Sequence, residues 1–256
     1  MRKKIFAAFV TLLLVLGAKA QTMNVHRANG EVTVIPLNDI TFVDFSEASP
    51  LVPVDLGLPS GTKWGNMNVG ATKPEEYGLY FAWGETTGYG SDPSDEHSFG
   101  WGGYTLCGGN NVSLTKYCTG SAFGTVDNKT ELEKADDAAS VNCGGDWMMP
   151  TNVEVQELLD NTTAEWIEVN GINCRKFVSK TNSNYILLPA AGFRERNDYP
   201  GAVGSSGYYW TSTLMESDPR SAYILEVDWS EASSKSAHRY NGFSIRPVVR
   251  NAGEGK

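Results

Sequence analysis

Helix signals are confined to the middle of this 256-residue chain, and the region after them has the pattern of short β-strands. Thr130 and Thr151 each begin a capping box, in which an N-cap threonine is followed three residues later by a glutamate. Apolar residues at helical spacing follow each box, and the second series ends near Asp160. Two short helices are therefore predicted, one after Thr130 and one after Thr151.

Strand patterns dominate the chain after these helices. The segments are apolar, aromatic or β-branched and are bounded by glycine, proline or polar residues: 185–188, 207–213, 222–227 and 242–249. Helices followed by successive strands indicate an α+β fold with antiparallel sheets. Residues 228–241, between the last two of these strands, are mostly polar and are expected to form a loop.

The N-terminus has the pattern of a secretory signal peptide. Residues 2–4 are basic, residues 5–16 are apolar, and Ala18-Lys19-Ala20 has the form of a cleavage site. The mature chain is therefore expected to begin at Gln21 and to be exported to the periplasm, the cell surface or the medium. No later segment is apolar enough to predict a transmembrane helix.

The chain after the signal peptide divides into a small unit and one larger domain. Residues 21–48 are predicted to form a β-hairpin unit that turns at Asn29-Gly30, with a third strand at 40–45. The remaining divisions are a linker at 49–53, one domain at 54–249 and a tail at 250–256. Within the domain, residues 85–126 are rich in Gly, Ser, Thr and Asn, which predicts long loops.

Four cysteines follow the signal peptide: Cys107, Cys118, Cys143 and Cys174. An even number in an exported protein is typical of disulfides, and four cysteines allow three pairings. Cys107–Cys118 and Cys143–Cys174 are favoured because these are neighbours in order and bracket separate segments. Zinc is the alternative, but no C-x-x-C spacing occurs.

Charge and motifs exclude several functions. The formal net charge is −9 and there is no Lys/Arg run, so a nucleic-acid ligand is not expected. The common motifs of metalloproteases, nucleotide-binding proteins and EF-hands are absent. No catalytic residue, cofactor or metal is predicted. Asp136-Asp137, with Asp127 or Asp146, could offer carboxylates to Ca²⁺, and the alternative is a solvated helix face.

The tryptophans fall into two groups. Those in apolar or glycine-bounded segments are expected in the core: Trp64, Trp83, Trp147 and Trp210. Trp101 and Trp229 lie in polar segments. An exposed aromatic residue supplies a large contact area at low entropic cost, so Trp229 is either a recognition residue or an anchor in the core.

Several separated motifs resemble the Fibrobacter succinogenes major paralogous domain. They begin with Val54-Asp55-Leu56-Gly57-Leu58-Pro59-Ser60-Gly61-Thr62-Lys63-Trp64 and end with Ser244-Ile245-Arg246-Pro247-Val248. The others are residues 68–71, 76–85, 136–139, 144–151, 188–192 and 207–212. The resemblance covers roughly residues 54–249. It implies a C-type-lectin-like fold related to the sulfatase-modifying-factor group and to variable proteins of diversity-generating retroelements.

The same resemblance implies a ligand surface in the segment before the final strand, at about 212–241. Small polar residues with Trp, Tyr, Arg and His give this segment the composition of an antibody paratope. The predicted ligand-binding residues are Trp229, Ser230, Glu231, Ser233, Ser234, Ser236, His238, Arg239, Tyr240 and Asn241. The sugar-binding motifs Glu-Pro-Asn and Gln-Pro-Asp are absent, and no cysteine follows Cys174. The absent sugar motifs argue against calcium-dependent sugar binding. The formylglycine-generating enzymes of the sulfatase-modifying-factor group need cysteines near their C-terminus, so their oxidase activity is not expected here either.

These observations favour an exported binding module whose lectin-like surface binds a protein or a glycan. The alternatives are a structural component of a surface assembly and an enzyme built on the same scaffold.

Overall fold

The computed structural model describes residues 22–26, 32–36, 50–92, 94 and 97–250. The chain divides into two compact units, Met1–Glu47 and Ala48–Lys256. In the first, β1 (Thr22–His26) and β2 (Val32–Pro36) are the antiparallel strands of the predicted hairpin. The predicted signal peptide, the Asn29-Gly30 turn and the strand at 40–45 lie outside the described residues.

A small four-stranded antiparallel sheet joins the beginning and the end of the second unit. Its order is β3 (Pro53–Val54), β4 (Lys63–Gly65), β12 (Val248–Val249) and β5 (Trp147–Met148). Because β3 already starts at Pro53, the predicted linker 49–53 ends inside a strand. The strand predicted at 242–249 is reduced to β12, since Phe243 and Ser244 make isolated pairings with Phe81 and Tyr209 instead.

The second capping box is confirmed. Helix α2 (Asn152–Asn161) begins at the N-cap Thr151, whose side chain accepts from the backbone N–H of Glu154. The Glu154 carboxylate in turn accepts from the Thr151 N–H at 2.7 Å. Two of the N–H groups that every helix start leaves unpaired are satisfied in this way, which explains why the helix begins here.

The predicted start of the first helix, after Thr130, is wrong. Helix α1 (Ala138–Cys143) begins at the N-cap Asp137, whose carboxylate accepts from Ser140 and Met149. Residues 130–132 are extended instead, because the Leu132 N–H donates to Ser212 O and Thr130 O accepts from Leu214. Pairing with a neighbouring strand satisfies the same backbone groups that a helix would, so the capping box is left unused.

The Glu154 carboxylate also ties α2 to the end of the domain. Arg250 donates to both carboxylate oxygens at 2.7 and 2.8 Å, and Thr62 Oγ1 donates at 3.1 Å. Burial of Glu154 raises its pKa, but the hydrogen bonds from Arg250 and Thr151 outweigh burial and leave the pKa below its ordinary value. Residue 250, assigned to the tail, thus contacts the domain.

We expect Glu154→Gln to lower the free energy of unfolding by about 1–3 kcal/mol near neutral pH. A lowered folded-state pKa means that the ionised carboxylate stabilises the fold above the unfolded-state pKa and loses this effect as pH falls through the folded-state value. The difference between variant and wild type should therefore shrink below about pH 4.5, the ordinary value for Glu. Urea denaturation across this pH range measures the difference in unfolding free energy.

Glu165→Gln, which removes a half-exposed carboxylate paired with Lys176, is the control and should change little. A pH-independent loss for Glu154→Gln would contradict the assignment.

A second antiparallel sheet follows α2, in the order β6 (Thr162–Val169), β7 (Ile172–Ser179) and β8 (Tyr185–Pro189). Strand β8 is the predicted one, whereas the β6–β7 hairpin is absent from the prediction. Asn170-Gly171 joins its strands, and both residues have positive φ, at 52° and 81°. This dipeptide is the strongest short-range hairpin signal and could have revealed the turn.

The third antiparallel sheet carries the predicted ligand surface. Its order is β11 (Ala232–His238), β10 (Ser221–Asp228) and β9 (Ser206–Leu214). Strands β9 and β10 agree with the sequence prediction, but β11 corrects it, because residues 232–238 of the expected 228–241 loop form a strand. The polar side chains of β11 fit its place, because it is the edge strand of this sheet among the described residues and its side chains are half-buried or exposed.

The core of the second unit holds the expected tryptophans with one exception. Trp64, Trp83 and Trp210 are fully buried, whereas Trp147 is half-buried. The Trp83 and Trp210 indoles donate to Thr211 O and Phe81 O, both at 2.8 Å. Buried indole N–H groups usually find such partners, and these two bonds also fix the relative positions of the two segments.

The described part of the 85–126 region contains turns and isolated pairings but no helix or named strand, in agreement with the loop prediction. Asp127 helps to hold this region by accepting from the N–H groups of Tyr117 and Cys118, both at 2.9 Å. Disulfides do not hold it.

All four cysteines are free thiols, so neither Cys107–Cys118 nor Cys143–Cys174 is formed. Cys107 Sγ lies 3.3 Å from the carbonyls of Trp101 and Tyr104, and Cys118 Sγ lies 3.2 Å from Gly120 O. Burial raises the pKa of Cys143 and of Cys174 to about 11. The thiolate is the form that reacts, so these two thiols are poor candidates for oxidation.

Candidate ligand-binding surface

The predicted ligand residues lie along the β10–β11 hairpin, but the structure separates its two aromatic ends. Trp229 lies in the turn before β11, and Tyr240 lies just beyond its far end. Seven strand residues at about 3.3 Å each place roughly 20 Å between the two ends. Trp229 and Tyr240 therefore belong to different parts of the surface.

The turn at Trp229 is well ordered by its own hydrogen bonds. Asp228 Oδ1 accepts from the N–H groups of Ser230 and Glu231 at 2.7 and 2.8 Å. Arg175 donates to the carbonyls of both Asp228 and Trp229 at 3.2 Å. The Trp229 side chain is 75% exposed, so it is not the core anchor that the sequence left open.

The polar residues of β11 split between its two faces. Ser234 Oγ donates to Asn152 Oδ1 on α2 at 2.6 Å. On the opposite face, Lys235 pairs with Glu226 at 3.0 Å and with Glu231 at 3.4 Å. Ser233 donates to Glu231, and Ser236 is exposed. Several of the predicted contact residues are thus engaged within the protein.

The prediction that Arg239 contacts ligand is wrong, because the residue is completely buried. Its guanidinium donates to Tyr104 OH at 2.8 Å and, at 3.0 Å, to three carbonyl oxygens, those of Lys116, Tyr117 and Pro219. Its carbon also lies 4.8 Å from the Trp83 ring centroid. A planar guanidinium suits this site because it can donate in several directions within one plane and stack on aromatic rings.

Trp101, His238 and Tyr240 form a cluster that we call the aromatic surface. Tyr240 lies 5.1 Å and His238 lies 5.9 Å from the Trp101 ring, and His238 and Tyr240 stack at 5.5 Å. His238 is exposed, while Trp101 and Tyr240 are half-buried. Burial raises the Tyr240 pKa and nearby Glu195 acts in the same direction, so its phenol stays neutral at physiological pH.

Buried Arg239 holds the two C-terminal members of the aromatic surface. Its backbone N–H donates to Arg220 O, and its carbonyl accepts from Trp83 at 2.8 Å. His238 and Tyr240 flank it in sequence, and the Asn241 N–H donates back to His238 O at 3.0 Å. The backbone of residues 238–241 is therefore held by the protein's own hydrogen bonds.

Three of the four carboxylates considered for Ca²⁺ have separate partners within the protein. Asp137 caps α1, Asp127 accepts backbone N–H groups, and Asp136 contacts Lys116 and the Tyr117 hydroxyl. Within the described residues, no three His, Cys, Asp or Glu side chains are grouped so that they could hold a metal ion. In the same part of the chain, no helix has the length and apolar character needed to cross a membrane.

Sequence reasoning missed one member of the aromatic surface and one polar pair elsewhere. Trp101 stood out as an aromatic residue in a polar loop, but its meeting with Tyr240 depends on a contact across more than a hundred residues. Glu85 and His97 also converge, at a small cavity. A histidine among Gly and Ser residues was the available signal for that pair.

Comparison with known proteins adds one match. A family model described as a domain of unknown function, DUF8237, matches residues 150–248. The matched segment begins just before α2 and includes the whole β10–β11 hairpin. Searches of curated proteins and of solved structures found no match. This chain is therefore similar, over its C-terminal region, to a family that carries no assigned function.

Proposed function

We propose that this chain is an exported binding module on a C-type-lectin-like scaffold related to the Fibrobacter succinogenes major paralogous domain. Its ligand would be a protein or a glycan. The scaffold part of the proposal is supported by the positions of the residues that carry the resemblance. Trp64, Trp83, Trp210 and Arg246 are fully buried, as residues that specify a shared framework should be.

The aromatic surface is the observation that carries the binding proposal. Aromatic side chains with polar tips give large contact area for few rotatable bonds, which is why they dominate binding hot spots. The rigid backbone around Arg239 means that little ordering entropy would be lost on binding. The surrounding Ser, Gly and Asn residues add adaptable hydrogen-bonding groups, and the acidic chain disfavours a polyanionic ligand.

A glycan array and a pull-down of surface proteins with the exported domain would identify the ligand. We then expect His238→Ala and Tyr240→Ala to weaken binding about 5- to 150-fold, equivalent to about 1–3 kcal/mol. Trp229→Ala tests whether the hairpin turn belongs to the same contact. His238→Ala and Trp229→Ala should keep a melting temperature close to that of the wild type, because both side chains are exposed. Tyr240→Ala should lower it moderately, because Tyr240 also packs against a core cluster.

Tyr185→Ala is the matched control, since Tyr185 is a half-exposed tyrosine on β8. It should leave both affinity and stability unchanged. If His238→Ala and Tyr240→Ala fold and bind with unchanged dissociation constants, the aromatic surface is not the binding site.

A further inference from the structure

A small cavity lies among the loops between Gly84 and Asp136, with a volume of about 280 Å³. Its polar lining includes Glu85, His97 and Thr105, and Leu106 supplies an apolar wall. Thr87 and Ala135 line the cavity and are themselves exposed. The volume lies just below the usual range of about 300–1,000 Å³ for small-molecule sites, so only a small group would fit.

Glu85 places a buried carboxylate in this cavity. The residue is 7% exposed, and its Oε1 accepts from the Thr105 N–H at 2.6 Å and from Thr105 Oγ1 at 2.9 Å. Its Oε2 lies 3.6 Å from His97 Nε2. No Lys or Arg among the described residues forms an ion pair with Glu85. Buried carboxylates are normally paired with a cation, so the charge of Glu85 favours a cationic group at Oε2.

Two cationic side chains in this region, Lys116 and Arg194, have partners of their own. Lys116 pairs with Glu133 and Asp136. Arg194 donates to Gly90 O at 2.8 Å and lies over the Phe99 ring.

His97 supplies a second polar atom to the same space. Its side chain is 10% exposed, and its ring stacks on Tyr89 at 4.3 Å. Among the described residues, no hydrogen-bond partner reaches Nε2. Burial lowers the His97 pKa and Arg194 adds to this effect, against an opposite contribution from Glu85. The imidazole is therefore neutral at physiological pH, and with its proton on Nδ1 it offers Nε2 as an acceptor.

We propose that this cavity binds a primary ammonium group carried on a short alkyl chain. An ammonium can donate to Glu85 Oε2, to His97 Nε2 and to a threonine oxygen at once, while the chain packs on Leu106. A guanidinium fits less well, because its two-point pairing needs both carboxylate oxygens and Thr105 already occupies Oε1. An anion would be repelled by Glu85.

Two sources could supply this group: a free alkylamine or a lysine side chain of a partner protein. The inference does not depend on the aromatic surface, because it uses different residues. Calorimetric titrations of the full mature chain with n-butylammonium chloride, 1-butanol and n-butylguanidinium chloride test the chemistry. Titration with Nα-acetyl-lysine-N-methylamide tests whether a lysine side chain can reach the cavity.

We expect n-butylammonium to bind with a dissociation constant on the order of 1 mM. Butanol should not bind measurably, and butylguanidinium should bind at least about tenfold more weakly than butylammonium. Glu85→Gln keeps an acceptor for Thr105 but removes the charge, and it should weaken butylammonium binding at least about tenfold. If both butylammonium and the lysine derivative bind, a lysine side chain of a partner protein is a possible ligand. If butylammonium binds and the lysine derivative does not, the ligand is a free amine.

Two further variants keep the test decisive. Ala135→Trp, at the exposed rim, should block the cavity and abolish binding even if Glu85→Gln fails to fold. Glu165→Gln removes an equal charge on β6 and should leave binding unchanged. The proposal is overturned if butylammonium does not bind, if butanol binds equally well, or if Ala135→Trp leaves binding intact.

Discussion

Arg239→Met should lower the free energy of unfolding by about 3–5 kcal/mol, the largest single-residue effect that we expect in this protein. The substitution keeps a long apolar stem but removes the donors to three carbonyls and the Tyr104 hydroxyl. Each buried acceptor left unpaired costs about 1–3 kcal/mol, and the contacts of the guanidinium with aromatic rings are lost as well. For a domain of this size the melting temperature should fall by roughly 6–20 °C.

Arg220→Met is the matched control for this experiment. Arg220 pairs with Asp218 at 2.7 Å near the surface, and its loss should have a much smaller effect because water can replace an exposed partner. Arg239→Lys adds a second comparison: it keeps the charge but lacks the planar fork, so it should also be clearly destabilised. If Arg239→Met melts like wild type while ligand binding disappears, Arg239 is a ligand residue as the sequence predicted, and its buried position is wrong.

Gly192→Ala should cost about 2–5 kcal/mol of unfolding free energy. Gly192 has a φ of +67°, and a Cβ at this position would lie 2.0 Å from Gly201 O and 2.8 Å from the Val203 nitrogen. Both are backbone atoms, so relief requires the 192–204 loop to move. That loop also contacts the segment that carries Trp101, because Arg196 exchanges backbone hydrogen bonds with Phe99, two residues before Trp101, at 2.8 and 3.1 Å.

Gly204→Ala separates the two causes of this loss, which are backbone strain at positive φ and the steric clash of the new Cβ. Gly204 also has a positive φ, +77°, but a Cβ there would meet nothing within 4 Å. Only the backbone strain remains, about 1–2 kcal/mol. Thermal or urea denaturation of both variants gives the steric contribution by difference. Equal losses for the two variants would show that the approach of Gly201 to Gly192 is not as close as described.

The sequence by itself determined the features that depend on a few neighbouring residues. Thr151 and Glu154 satisfy each other's backbone groups within one helical turn, so α2 could be placed with its N-cap. Strands β8, β9 and β10 could be placed from their local apolar patterns. Alternating or continuous apolar residues mark a buried strand whichever part of the core it packs against.

Only the tertiary structure decided the features that depend on distant partners. The capping box at Thr130 has the same local pattern as the one at Thr151, yet the carbonyl of Ser212 and the N–H of Leu214 take its backbone groups. Arg239 has the polarity of a surface residue, and it can be buried because four acceptors from three separate segments surround it. Trp101 meets Tyr240, and Glu85 meets His97, through loop paths that no periodicity encodes. Long-range hydrogen bonds and burial outweigh local preference where both compete for the same backbone groups, as at Thr130.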